Sequence, residues 1–259
     1  MRVQAIPIFQ DMHILRRDML EALTDYAFLA DQMLYKGYGD GILSGCCLTT
    51  TSDAIILNEG AIFFEGEIFF IKEPMSVTYY PTNTTTVMKI RFSEQLRDKN
   101  FIYREIDLNL TEQVDLQKGE LELCRFKLQE GARLRYQYQN FSDRNTEFDT
   151  LNTIYAAYSA LGGSSISLEI VKEFAEEMLK AKGLSDLDVL FCLQLLGQDR
   201  PINNRVLTAY IERKMGRPLT DSSNLTIYKG LEKLLKEAHG GRKAGDGTPE
   251  KKRWRLAVD

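Results

Sequence analysis

The sequence predicts an α+β, multi-domain protein: a long N-terminal helix, an antiparallel β sandwich or barrel-like domain, and a C-terminal helical domain. Three observations carry this prediction. Apolar residues near the N-terminus recur at helical spacing. From Ile42 to about Phe141 short apolar runs alternate with turn residues. Beyond about Asn145 the helical period returns. A chain of 259 residues is long enough for two domains and a sizeable core.

The first helix is expected from Phe9 to about Lys36, a stretch without Gly or Pro. Met12, Leu15, Met19, Leu23, Tyr26, Ala30 and Met33 follow one another at steps of three and four, which places them on one stripe; Leu20, Ala27 and Leu34 widen it. Such a stripe suits a helix lying on its own β domain, and it equally suits a self-associating stalk.

The helix runs into "KGYGDGILSG", whose alternate glycines superficially match a phosphate-cradling loop. Those loops follow a strand and open a helix. Here the glycines follow a helix and open strands, so they read as a C-cap and a sharp turn.

About eight strands are expected between Ile42 and Phe141, separated by turn signals such as Asn58-Glu59-Gly60 and Pro81-Thr82-Asn83. The densest apolar stretch, "GAIFFEGEIFFI" at 60–71, folds about Glu65-Gly66 as a two-residue hairpin. That register sets Phe64 against Glu67, Phe63 against Ile68 and Ile62 against Phe69, leaving both faces apolar. One face belongs to the domain core. The other needs a cover, either the first helix or another subunit, and Phe63 and Phe69 are candidate assembly contacts.

Phe148, Leu151, Ile154, Tyr155, Tyr158 and Leu161 keep a helical period, and "SLEIVKEFAEEMLKAK" predicts a further helix ending at Gly183. Ser185 and Asp188 form a capping-box-like start for "DLDVLFCLQLLGQ". Two more helices follow, the second opened by Asp221-Ser222-Ser223-Asn224, then a Gly-rich basic loop and a closing strand, "RWRLAV". In element order, residues 186–259 resemble a winged-helix domain. The expected division is 1–38 as an assembly helix, 39–142 as the β domain, 143–184 as a helical connector and 185–259 as a basic winged-helix-like unit.

The net charge of −4 conceals an asymmetry: from Arg200 to Asp259 there are fourteen Lys+Arg against seven Asp+Glu, a net of +7, leaving −11 on the rest. Lys229, Lys233 and Lys236 share one helix face, opposite Leu225, Tyr228, Leu231 and Leu235. The basic loop adds Arg242, Lys243, Lys251, Lys252 and Arg253. These cations suit phosphates or an acidic protein partner, with Asn224 and Thr226 placed to reach bases. Trp254 reads as a core anchor between outward Arg253 and Arg255.

No catalytic constellation is visible. Neither His13 nor His239 has a nearby Cys, Ser or Asp arrangement that suggests an activated nucleophile, and Asp186 and Asp188 fit the acidic first turn of a helix. Cys46, Cys47, Cys124 and Cys192 lack metal or disulfide spacing and read as buried, reduced thiols. No enzyme activity, metal or cofactor is expected. No apolar run approaches the roughly 18–20 residues of a membrane span, and Asp and Arg appear too early for a secretory signal, so synthesis in a cytoplasm is expected.

Gly39, Asp40, Gly41, Ile42, Ser44, Gly45 and Cys46, followed by Gly60, Ile62, Gly66 and Ile68, resemble a pattern in phage tail and baseplate proteins. The same pattern occurs in contractile injection systems of Gram-positive bacteria, commonly after an N-terminal helix. The resemblance covers roughly residues 10–90. It implies a non-enzymatic structural or adaptor subunit of a tail or baseplate, homo-oligomeric or within a hetero-complex, and assembled into a virion or phage-like particle. The basic C-terminal unit departs from a tail fibre and favours a compact adaptor. The alternative is a nucleic-acid-binding accessory or regulatory protein that uses that unit.

Overall fold

The computed structural model of the protein describes residues 6–240. Helix α1 spans Arg17–Leu34, shorter than the predicted Phe9–Lys36. Met12, at φ 63°, is left-handed and breaks any helix through it. The helix is preceded by Arg16, an extended N-cap residue that makes no side-chain capping bond, and is followed by Gly37 at φ 84°.

The β region holds β1 (Gly41–Gly45), β2 (Leu48–Thr50), β3 (Ala54–Leu57), β4 (Gly60–Phe64), β5 (Glu67–Ile71) and β6 (Met75–Thr78). After these come β7 (Thr85–Phe92), β8 (Leu96–Arg97), β9 (Ile102–Tyr103), β10 (Ile106–Thr111) and β11 (Glu120–Lys127). They form several mostly antiparallel sheets, in the orders β10-β7-β11, β2-β3-β6 and β8-β9, with β1, β4 and β5 in a larger sheet; none closes into a barrel. The hairpin register is the predicted one, Phe64↔Glu67, Phe63↔Ile68 and Ile62↔Phe69. Both turn residues have positive φ, Glu65 at 48° and Gly66 at 84°, as a tight hairpin of this hand requires.

The central strand β7 is buried along most of its length. It even encloses a cation: Lys89 is 1% exposed, and its Nζ donates to the Asp115 carbonyl at 2.6 Å and to Glu120 Oε2 at 3.1 Å. The 112–119 connection therefore folds back over the sheet, because a buried ammonium has to be paired.

The helix expected across Phe148–Leu161 is absent. A 3-10 helix at Phe141–Asn145 leads into irregular chain, then β12 (Tyr158–Ala160) and β13 (Gly163–Ser165). These two strands extend the first sheet to β13-β12-β1-β4-β5, and β12 runs parallel to β1. The apolar residues that mimic a helical period in fact serve two cores. Leu151 enters the β core, whereas Ile154 enters a second, helical one. Backbone bonds to distant strands replace the local helical ladder: Asn152 exchanges two hydrogen bonds with Arg125, at 2.8 and 2.9 Å, and the Leu151 N–H donates to the Arg135 carbonyl at 2.9 Å.

The second core is built from α2 (Leu168–Leu179), α3 (Asp186–Leu196), α4 (Asn204–Met215) and α5 (Asn224–His239). Phe141 stacks on Tyr228 with ring centroids 4.7 Å apart, tying the 3-10 helix to α5. Serines or asparagines cap all four helices: Ser167, Ser185, Asn203 and Ser223. The capping box of Ser185 and Asp188 is present as predicted. The basic loop from residue 241 and the "RWRLAV" segment lie outside the described residues.

Candidate assembly surface

Every residue of α1 is at least partly solvent-exposed. Met19, Leu23, Tyr26, Ala30 and Met33 share a stripe on the helix, widened by Leu20, Ala27 and Leu34. Tyr26 and Met33 are 62% and 67% exposed. At about 100° per residue these eight positions fill an arc of roughly 140°, wide enough for a face normally pressed against a core. Here none of the described residues covers it. Met12 and Leu15, predicted on the same stripe, precede the helix and are exposed.

Phe63 and Phe69 are not surface contacts. Phe69 is buried beside Phe92, ring centroids 4.6 Å apart, and the Arg104 guanidinium lies over its other side at 5.8 Å. Phe64 stacks on the same Phe92 at 4.4 Å. On the opposite face Phe63 is covered by Tyr35, at 5.9 Å between centroids. The cover is thus the residue just after α1, and the body of the helix stays free. Phe70, which had no place in the sequence reading of the assembly surface, is the exposed aromatic of this hairpin.

The glycine motif turns out to be a crossing of backbones. A Cβ on Gly39 would collide with the Gly163 and Ser164 backbone, and one on Gly41 would lie 2.6 Å from the Ala157 carbonyl oxygen. Between them, Asp40 accepts from the Glu65 N–H at 2.9 Å through Oδ1, and its carbonyl accepts from Ser164 Oγ at 2.6 Å. The motif thereby locks the hairpin turn and the β12–β13 pair to the chain leaving α1. Local sequence could not show this, since the contacting strands lie more than a hundred residues away.

On α5, Lys229, Lys233 and Lys236 are exposed, but two are matched within the helix. Lys233 faces Glu237 at 3.9 Å and Lys236 faces Glu232 at 2.7 Å. The Asn224 amide is committed to the Ala156 and Ser165 carbonyls, and Thr226 to Ser223, so neither is free to read a base. Arg242, Lys243, Lys251, Lys252 and Arg253 lie outside the described residues. Cys46, Cys124 and Cys192 are buried, with burial pushing Cys46 up to about 12 and Cys192 up to about 11. Cys47 is exposed, contrary to expectation. Among the described residues no helix is long and apolar enough to cross a membrane.

No protein-family model matches the chain, and no curated protein does. Among solved structures, it is similar to a crystal structure of TssK at 12% identity, with a TM-score of 0.42 over 90% of this chain and 71% of that one. It is also similar to a chain of the TssK-TssF-TssG baseplate subcomplex of the type VI secretion system, at 9% identity and a TM-score of 0.40. That match covers 90% of this chain and 99% of the other. A chain of the type VI secretion system baseplate complex matches at 9% identity and a TM-score of 0.32, over 90% of this chain and all of that one. All three TM-scores are too low to establish a shared fold.

Proposed function

We propose that the protein is a non-enzymatic structural adaptor of a phage-tail-like or contractile baseplate, acting by protein–protein contacts, with α1 as its assembly helix. The observation that carries this reading is the eight-residue apolar stripe on α1, which none of the described residues covers. Leaving such a face in water is costly, at roughly 25 cal/mol per Å² of apolar surface, so a helix of this kind gains by burying it in an assembly. The resemblance of Gly39–Cys46 and Gly60–Ile68 to tail and baseplate proteins supplies the class of assembly. The matched lysines of α5 and the committed Asn224 weigh against base-specific nucleic-acid recognition.

Light scattering tests the role of α1. The full chain is expected to exceed monomer mass, and a chain without residues 1–34, which keeps Tyr35 over Phe63, is expected to be monomeric. Leu23→Glu with Tyr26→Glu should reproduce the truncation while leaving the circular dichroism of the remainder intact. A monomer in every case would sink self-assembly through this helix. A particle preparation probed for this chain tests the class of assembly separately.

A further inference from the structure

Besides α1, the described residues leave a second apolar surface open, on the β8–β9 hairpin. Leu96 pairs with Tyr103 and Arg97 with Ile102. Cross-strand partners share a face, and alternation adds Phe101 to the face of Leu96 and Tyr103. All three are exposed, Phe101 by 69%, and so is Ile102 on the reverse face. A two-stranded hairpin standing alone in water is marginally stable at best. Its turn is nonetheless well tied. Asp98 Oδ1 accepts from the Asn100 and Phe101 N–H groups, and the Asp98 N–H donates to the Phe101 carbonyl at 3.0 Å.

Position and charge together name a cover. The chain leaving α1 and the base of the hairpin meet at the Glu65-Gly66 turn. Asp40 accepts there from the Glu65 N–H at 2.9 Å, and Arg104 Nη1 lies 3.3 Å from Glu65 Oε2. Both open surfaces therefore start from one turn, and a second copy brought up to that end can meet both at once. Helix α1 carries Asp18, Glu21, Asp25 and Asp31 against Arg17 alone, a net of −3. Two such helices face to face would set like charge against like. The hairpin instead offers Arg97 and Lys99, both exposed and without an ion pair among the described residues, while Asp98 is committed to the turn. Asp31 borders the apolar stripe of α1, four residues after Ala27 and three before Leu34, and is exposed.

We infer that α1 of one copy lies across the β8–β9 hairpin of another. Its apolar stripe meets Leu96, Phe101 and Tyr103, and Asp31 lies toward the cationic turn. This pairing rests on α1 being the assembly helix and names what that helix binds.

Sedimentation velocity of full-length variants tests the pairing. Phe101→Glu with Tyr103→Glu is expected to be monomeric where the wild type is assembled, and so is Leu23→Glu with Tyr26→Glu. Mixed in equal amounts, the two should recover a complex of twice the monomer mass, because one keeps an intact α1 and the other an intact hairpin. Should the glutamates disturb the hairpin itself, Arg97→Glu with Lys99→Glu replaces them and leaves the Asp98 turn bonds in place. That variant is expected to associate about tenfold more weakly at low salt, with the difference fading at high salt. Hairpin variants that assemble like the wild type overturn the pairing while α1 remains the assembly helix. A mixture that stays monomeric overturns it too, as does a wild type that is monomeric at every concentration. An α1 variant that remains assembled removes the reading of α1 beneath it.

Discussion

Replacing Asp188 by Ala is expected to destabilise the protein by about 3–5 kcal/mol, the range for removing one partner of a buried ion pair. Asp188 is 3% exposed and accepts from the Ser185 N–H at 3.1 Å, Ser185 Oγ at 2.6 Å, Tyr210 Oη at 2.8 Å and Lys214 Nζ at 2.7 Å. It thus joins the cap of α3 to two side chains of α4. Lys214 keeps partial access to water, which places the loss toward the lower end of the range. Urea unfolding at neutral pH measures it. Burial by itself would push the Asp188 carboxyl up, but the donors from Lys214, Ser185 and Tyr210 outweigh it and hold the group down at about 2. Its folded pKa lies below its unfolded one, so the carboxylate's contribution is complete above about pH 4 and disappears as the pH falls toward about 2. The variant should lack that part of the acid limb. Identical limbs in variant and wild type would show that Asp188 contributes no such linkage.

Gly39→Ala is expected to cost about 3 kcal/mol, at the upper end of overpacking penalties, because the atoms it meets are the Gly163 and Ser164 backbone and not a side chain that can swing away. The φ of Gly39 is not left-handed, so the whole effect is steric. Gly66 supplies the contrast: its φ is 84° but nothing lies within 4 Å of a Cβ there. Gly66→Ala should therefore lose only about 1–2 kcal/mol of left-handed strain, and Gly66→Asn less. The comparison is made by urea unfolding of the three variants. Should Gly39→Ala prove no worse than Gly66→Ala, the backbone crossing at Gly39 is not as tight as described.

Much of the architecture was legible wherever neighbouring residues decide it. The Glu65-Gly66 turn, its register and the cap at Ser185 follow from local stereochemistry, and the structure holds them as read. The stretch 148–161 was misread because a helical period of apolar residues cannot reveal that Leu151 and Ile154 face different cores. Phe63 and Phe69 were misplaced for a related reason. Alternation gives the face of a strand, but not what lies over it, here Tyr35, Phe92 and Arg104. Within the candidate site the stripe of α1 was visible as spacing. That α1 stands clear of its own β domain was not, since spacing is the same for a helix packed at home or against a partner.

The sequence by itself determined the order of helix, strands and helices, the hairpin and the caps, all of them products of short-range sterics and hydrogen bonding. Only the tertiary structure decided that β12 joins β1, that Gly39 and Gly41 make room for a backbone more than a hundred residues away, and that Lys214 and Tyr210 complete the cap of Asp188. Such contacts depend on which distant segments meet. A local pattern carries no record of that, because many partners satisfy the same apolar or glycine-rich surface equally well.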